Sequence, residues 1–383
     1  MMQDKRGAPA AEKGRNLGLD ALRIASMLAV VGQHLILHGG LQEALSGSLA
    51  GSLSASFLYI ACLFAVDGFV LITGYCQAHK PFRLRGLFRL WVQASVYNVL
   101  CTAAVNLRVL YPDMQYADML QAVFPILTDA YWFFTTYFAL MLLSPFLNRA
   151  FGSLSRGKAL ALLLALVLLF SVFTDLASLT GRDPFRLSGG CRLDWFVVLY
   201  LTGAYFGRYG APRFGLALAG GAMGMNALLT LVLTVWPLRI PGMTITPAQF
   251  RGNNSLLVYL SAVGLLWWFR AESPAGRCIR FFAPLCFAVY LIHDNLWVRL
   301  FYIQALSPLP ALAGGPWYGW LGMFFAEGAG IFLFGCLVEW VRRQLFRLLR
   351  IDPLCDRIAD RIAALWRRLT NAIFCRIGGE EDF

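Results

Sequence analysis

Two ionisable side chains, Arg23 and His34, lie eleven residues apart in one long apolar stretch, residues 17–38. At about 100° per residue, this spacing places both on one helix face, roughly 16 Å apart along the axis. A guanidinium can hold an anion, and an imidazole in a membrane cavity can act as a base. The pattern therefore predicts a functional stripe. The alternative is an arginine at the lipid headgroups and a histidine bonded to a neighbouring helix.

Two more polar residues belong to the same stretch. Asp20 lies three residues before Arg23, so the two side chains share a helix face and we expect Asp20 to hold Arg23 in place. His38 follows His34 by one helical turn. Its level along the helix suits either contact with an acceptor or packing at the membrane interface.

The composition requires a membrane environment for this stretch. Of 383 residues, 58% are hydrophobic and 14% are charged, which is more apolar surface than a soluble domain can bury. The net charge of +12 is typical of basic cytoplasmic loops, and no basic, aromatic-rich module suggests a nucleic-acid partner. Nine cysteines show neither a CxxC pair nor Cys/His ligand spacing, so we expect no metal.

The hydropathy pattern predicts an all-α polytopic membrane protein with about ten transmembrane helices. The apolar segments are residues 17–38, 55–78, 90–107, 131–148, 158–175, 194–207, 214–236, 254–269, 282–305 and 317–341. Basic residues crowd alternate connections, whereas 39–54 and 306–316 contain no lysine or arginine. The positive-inside rule therefore places both termini in the cytoplasm. The connection 176–193 has three arginines but stays outside, since moving it would remove one helix.

This topology divides the chain into a cytoplasmic segment 1–16, a membrane domain 17–341 and a cytoplasmic tail 342–383. Within 342–376, apolar residues recur every three or four positions and arginines fill the other faces. The pattern predicts a basic amphipathic helix on the inner leaflet, in contact with membrane lipids. Association of two copies through the same apolar seam, giving a homo-oligomer, is the competing interpretation.

Three arginines open the third apolar segment. Arg85 and Arg89 are four residues apart and share a helix face, while Arg83 points elsewhere. Clustered arginines at the mouth of a helix bundle suit a phosphate or pyrophosphate. Plain anchoring at the cytoplasmic interface explains them equally well.

Further polar side chains fall inside apolar segments, where they are costly and point to function or to a satisfied packing contact. Asp67 lies deep in the second segment, and His293 and Asp294 interrupt the ninth. Glu327, in the tenth, is either a buried protonated acid or the partner of an arginine. Trp132 opens the fourth segment among interfacial aromatic residues.

Several of these motifs, in this order, resemble the type 3 membrane acyltransferases, bacterial integral-membrane enzymes that acylate surface glycans. The likeness covers about residues 17–341. It is carried by Leu19-Asp20-x-Leu22-Arg23 followed by His34, by Phe69…Thr73-Gly74-Tyr75, by the basic start of the third segment, by Trp132-Phe133 with Pro145, and by Tyr290-Leu-Ile-His293. One departure concerns the family's Arg-x-x-Arg pair, because Gly86 occupies the first place counted back from Arg89.

The resemblance implies an O-acyltransferase of the bacterial inner membrane that uses acyl-CoA, most often acetyl-CoA. It implies His34 as the base, with Arg23 and Asp20 beside it, and Arg83, Arg85 and Arg89 as candidates for the CoA phosphates. The acceptor would be a hydroxyl of a cell-surface or lipid-linked glycan. His293, Tyr290, Glu327, Asp67, His38 and Trp132 are further candidate site residues.

A proton-coupled secondary transporter is the rival function class. It would use Arg23, Asp67, His293 and Glu327 as a substrate and proton path. The sequence shows no inverted pair of Gly/Pro-broken helices to support it. A membrane scaffold without chemistry would leave the polar stripe of residues 17–38 unexplained.

Overall fold

The computed structural model describes residues 15–78, 80–106, 121–243, 245–272 and 276–377, and these residues form helices and no strands. The first half contains α1 (Leu17–Leu37), α2 (Leu41–Leu45), α3 (Leu49–Cys62), α4 (Ala65–Gln77), α5 (Leu84–Asn106), α6 (Trp132–Gly152), α7 (Arg156–Val167), α8 (Phe173–Ser178) and α9 (Leu193–Tyr209). The second half contains α10 (Gly215–Val235), α11 (Leu256–Ala271), α12 (Arg277–Phe282), α13 (Cys286–His293), α14 (Leu296–Val298), α15 (Leu309–Leu312), α16 (Trp317–Leu348) and α17 (Ile351–Ile377).

The predicted all-α class is confirmed, and each of the ten apolar segments coincides with a helix or with a run of consecutive helices. Among the described residues, five helical stretches are long and apolar enough to cross a bilayer, and the bent run 277–312 would be a sixth. The number of transmembrane helices, ten, and the side of the membrane on which each terminus lies stay predictions. Residues 1–14 and 107–120 lie outside the described residues, as do His79 and residues 378–383.

Helix α1 begins where the sequence offers a polar cap. The Asn16 side chain accepts a hydrogen bond from the Leu19 backbone N–H and donates one to the Arg270 carbonyl. It thereby satisfies a first-turn donor and ties the start of α1 to the end of α11. Only a few residues of α1 face outward, so the polar side chains along it are held inside the bundle.

Glycines allow α4 and α9 to pack with their backbones almost in contact. A Cβ atom on Gly74 would lie 2.0 Å from the Tyr200 carbonyl oxygen, and one on Gly203 would lie 2.1 Å from the Leu71 carbonyl oxygen. Close packing of the two helices therefore requires glycine at both positions. Pairing α4 with α9 in this way fixes one wall of the site described below.

The basic connections meet at one end of the bundle, called here the basic end. Side chains cross-link them there: Asn148 donates to the Gln77 carbonyl, Arg208 to Gly152, and Arg270 to Ala211. The connection 176–193 lies at the opposite end although it contains three arginines, and there the Asn253 N–H donates to the Gly189 carbonyl. Apart from this connection, the alternation of charge along the sequence is also a separation of charge in space, as in the positive-inside pattern.

The predicted amphipathic helix is present as α17, and residues 342–348 continue α16 instead of belonging to it. One face of α17, with Cys355 and Ala359 buried, packs against α5. The apolar residues Leu354, Ile358, Ile362 and Leu365 stay exposed on another face. This uncovered apolar stripe at the basic end is what a helix lying on a membrane surface requires.

Candidate active site

Two histidines from distant parts of the chain meet inside the bundle. His34, in the last turn of α1, places its Nδ1 atom 3.0 Å from the Nε2 atom of His293. His293 is the last residue of α13, and its own Nδ1 atom lies 2.6 Å from the Val289 carbonyl oxygen. Both contacts lie within hydrogen-bond distance, so the two rings form a chain that ends on a backbone acceptor.

The direction of this chain follows from the acceptor at its end. A carbonyl oxygen only accepts, so His293 carries its proton on Nδ1, and in the neutral ring its Nε2 atom is then an acceptor. His34 must donate from Nδ1 to that atom. With both rings neutral, the Nε2 atom of His34 is therefore unprotonated, which is the state of a general base.

An acidic residue lies beside the histidine pair. The Oδ1 atom of Asp294 is 3.6 Å from the Nδ1 atom of His34, and it accepts a hydrogen bond from Arg299 at 3.2 Å. If His34 takes a proton on Nε2, the carboxylate of Asp294 faces the positive charge that forms. The ion pair with Arg299 holds this buried carboxylate in position.

A break in the helix puts Asp294 and Arg299 into this position. The Asn295 side chain caps α14 by accepting from the Trp297 N–H and donates to Asn98 and Tyr131, at 2.9 and 3.2 Å. The first contact replaces a backbone bond that a continuous helix would supply, and the other two hold the Asn295 side chain in place. The chain then winds into a π-helical turn at Arg299–Gln304, which turns Arg299 back toward Asp294.

A cavity of about 250 Å³, called here the tunnel, runs along α1 from Arg23 to His34. Its wall near His34 is mostly apolar and aromatic, and includes Trp132, Phe133 and Tyr290. The predicted shared face of Arg23 and His34 is confirmed, since both side chains line this one space. Trp132 and Tyr290 are brought to it from α6 and α13.

At the other end of the tunnel, Arg23 is held as the sequence predicted. Its Nη1 atom donates to the Asp20 carboxylate, which also accepts from Arg15, and its Nη2 atom lies 3.8 Å from the Cys76 sulfur. Asp20 is buried, whereas the Arg23 side chain is about one-third exposed. The guanidinium therefore has donors left for an anion that enters the tunnel.

A second cavity of about 510 Å³, the vestibule, adjoins the tunnel at the basic end. The two spaces share Gln77, Leu90 and Tyr137 in their walls. Lys80 and Arg83, both exposed, line the vestibule. Arg83 points away from the face shared by Arg85 and Arg89, as the sequence predicted. Its side chain lies in the wall of the vestibule, beside the tunnel entrance.

The other two arginines of this group contact the C-terminal helix. Arg85 makes two hydrogen bonds to Asp360, at 2.7 and 2.8 Å, and Arg89 makes two to Asp356, at 2.8 and 2.6 Å. The shared face predicted for Arg85 and Arg89 is confirmed, and α17 covers it. In this conformation, carboxylates are bound to the two guanidinium groups that were predicted as candidates to bind the CoA phosphates.

The remaining candidates are not all part of one site. The half-buried ring of His38 lies 5.3 Å from that of His34, between centroids, on the side away from the tunnel. Asp67 is fully buried and accepts from the Trp195 indole at 3.2 Å. Glu327 accepts from Ser307 at 3.0 Å, and no arginine or lysine pairs with it in the described part of the chain.

A family model described as an acyltransferase domain matches residues 16–340, a range that contains the histidine pair, the residues that line the tunnel and the vestibule, and Asp294 with Arg299. The chain belongs to the type 3 acyltransferase family. Comparisons with curated proteins and with solved structures give no match. In this type 3 acyltransferase, His34 of the histidine pair lies at one end of the tunnel and Arg23 at the other. No group of three or more metal-ligating side chains occurs among the described residues.

Proposed function

We propose that this membrane acyltransferase transfers an acyl group, acetyl in the first instance, from cytoplasmic acyl-CoA to a hydroxyl of a cell-surface or lipid-linked glycan. The observation that carries the proposal is the tunnel that joins Arg23 at the basic end to His34, whose Nδ1 atom is paired with His293. A bacterial inner membrane with the basic end inside would supply the donor on the side where acyl-CoA is made.

The donor site follows from the shape of the two cavities. A CoA molecule has a bulky, highly charged nucleotide and a thin, extended pantetheine arm that ends in the thioester. The vestibule, with Lys80 and Arg83, suits the nucleotide, and the tunnel suits the arm. Arg23 stands where the arm would enter, and the thioester would reach His34 roughly 16 Å further along α1.

The chemical step needs a base and a route for one proton. His34 Nε2 removes the proton of the acceptor hydroxyl while the oxygen attacks the thioester carbonyl carbon. The tetrahedral adduct then expels the CoA thiolate, which takes the proton from His34, so the products are the ester and free CoA. Asp294 and His293 face the Nδ1 side of the ring during the step and oppose its rotation.

Release of CoA thiol tests the proposal directly. The purified protein in lipid nanodiscs is supplied with radiolabelled acetyl-CoA and with an envelope glycan fraction as acceptor. Thiol release that depends on the acceptor, together with label in the glycan, is the expected result. If neither occurs but labelled solute crosses proteoliposome membranes in a pH-dependent way, the protein is a transporter and the proposal is wrong.

A further inference from the structure

The Tyr290 hydroxyl is a polar group inside the bundle whose hydrogen bond is missing. Tyr290 is 5% exposed and lines the tunnel beside His34, and its hydroxyl has no hydrogen-bond partner in the described part of the chain. A buried donor without a partner destabilises a protein, so its presence calls for a functional explanation. Two other polar groups in the tunnel wall are satisfied, since Gln33 donates to the Cys62 carbonyl and Thr73 to that of Phe69.

The ring of Tyr290 is held firmly although its hydroxyl is unpaired. It packs against Phe133, Tyr131 and Phe287, with centroid distances of 5.7, 5.8 and 6.2 Å. Tyr290 also precedes His293 by three residues on α13, so the two share one rigid helical frame. The position of the hydroxyl relative to the histidine pair is therefore fixed before any substrate binds.

Two groups lie close to this hydroxyl, the backbone at the start of α6 and the carboxylate of Asp294. Phe133 is the second residue of α6, so the first-turn backbone N–H groups of that helix lie near Tyr290. Asp294 also lies near, and its carboxylate already accepts a hydrogen bond from Arg299. The O–H of Tyr290 thus remains available to an acceptor atom in the tunnel.

We propose that Tyr290 is a catalytic residue whose hydroxyl donates a hydrogen bond to the thioester carbonyl oxygen as it becomes the oxyanion of the tetrahedral adduct. The inference rests on the proposed acyl transfer and assigns the group that stabilises its charged intermediate. Donors fixed in advance at the site of developing charge are among the largest contributions to catalysis. They also act most strongly where, as here, the site is buried.

The test compares Tyr290→Phe with a matched variant, Tyr259→Phe. Tyr259 is also buried, but its hydroxyl lies 3.1 Å from the Thr202 hydroxyl and does not line the tunnel. Tyr290→Phe should lower kcat about 100-fold, the effect of removing one oxyanion donor, and leave the KM and affinity for acetyl-CoA unchanged. Its Tm should not fall, since an unpaired hydroxyl is removed. Tyr259→Phe should show the reverse: normal turnover and a lowered Tm.

Each other outcome contradicts a specific claim. If the wild-type protein transfers no acyl group, the proposed function is wrong. If the wild-type protein is active and Tyr290→Phe turns over at a similar rate, the proposed function stands and the role of Tyr290 is wrong. A Tyr290→Phe protein with a lowered Tm and lost acetyl-CoA binding also overturns the inference, because the hydroxyl would then have a structural partner.

Discussion

The Nδ1 atom of His34 and the Nε2 atom of His293 lie 3.0 Å apart, across 259 residues of sequence. Through this contact the Val289 carbonyl determines which nitrogen of His34 is free. His293 is in this account a positioning residue, since it acts through His34 and does not line the tunnel. The orientation of His34, the proposed base, thus depends on the backbone of α13 and not on α1 alone.

Replacing His293 should impair turnover without affecting donor binding. His293→Ala removes the acceptor for the Nδ1 proton of His34, and loss of that orientation should lower kcat about 100-fold. His293→Gln should restore part of the rate, because its amide oxygen can accept the same proton. The measurement is kcat together with acetyl-CoA affinity for both variants. Equal rates for the alanine and glutamine variants would show that the hydrogen bond to His34 is unimportant.

The arginines near the basic end should differ in their effect on donor binding. Arg83→Ala should weaken acetyl-CoA binding by about 1.5–3 kcal/mol if its guanidinium contacts a phosphate in the vestibule. Lysine at this position should rescue only partly, since it cannot make a bidentate contact. Arg85→Ala is the matched control, because Arg85 is already paired with Asp360. Calorimetry that finds the larger loss for Arg85→Ala would move the nucleotide to the face that α17 covers.

The proposed orientation of the bundle can be tested by labelling. A cysteine introduced within residues 306–316 should react with a membrane-impermeant reagent added outside intact cells, and one within 271–276 should not. The physical reason is the concentration of lysine and arginine at the basic end, which resists translocation. The reverse pattern would place the vestibule outside the cell and remove its access to cytoplasmic acyl-CoA.

Close packing of α4 on α9 should make Gly74 sensitive to any side chain. Gly74→Ala places a Cβ atom 2.0 Å from the Tyr200 carbonyl oxygen, so the helices must separate, with a loss of about 1–3 kcal/mol. Gly220 in α10 has no atom within 4 Å of the added Cβ, so Gly220→Ala should be neutral or stabilising. Thermal unfolding in the same detergent compares the two. A Tm for Gly74→Ala at or above that of the wild type would contradict the packing described for α4 and α9.

The sequence predicted the local part of the site and missed the part that depends on tertiary contacts. Arg23, His34 and Asp20 follow from helical periodicity within one segment. The contact of His34 with His293, and of Asp294 with Arg299, depends on a helix break that three consecutive polar residues in an apolar run signal only weakly. Asn295, which caps the break, and Arg299, which pairs with Asp294, are residues whose roles the sequence did not indicate.

The pairing of the arginines is a second example. Arg85 and Arg89 have the spacing of a phosphate site, but the same spacing matches Asp356 and Asp360, which are also four residues apart in α17. The matching spacing of the two arginines and the two aspartates is compatible with contact between α5 and α17. It does not by itself predict that contact, because ion pairs between exposed helices add little free energy and do not determine packing.

The central claim is that His34 is the base of acyl transfer, and His34→Ala tests it most directly. A catalytic imidazole contributes roughly 100- to 10,000-fold, so transfer should fall by at least the lower of these factors. Acetyl-CoA binding should persist, because Arg23 and the vestibule are unchanged. His38→Ala, a substitution of the neighbouring histidine, should lower acyl transfer less than His34→Ala does. Acyl transfer and acetyl-CoA binding are both measured on one purified His34→Ala sample. Lost transfer with retained binding is the predicted result, and transfer near the wild-type rate would contradict the account.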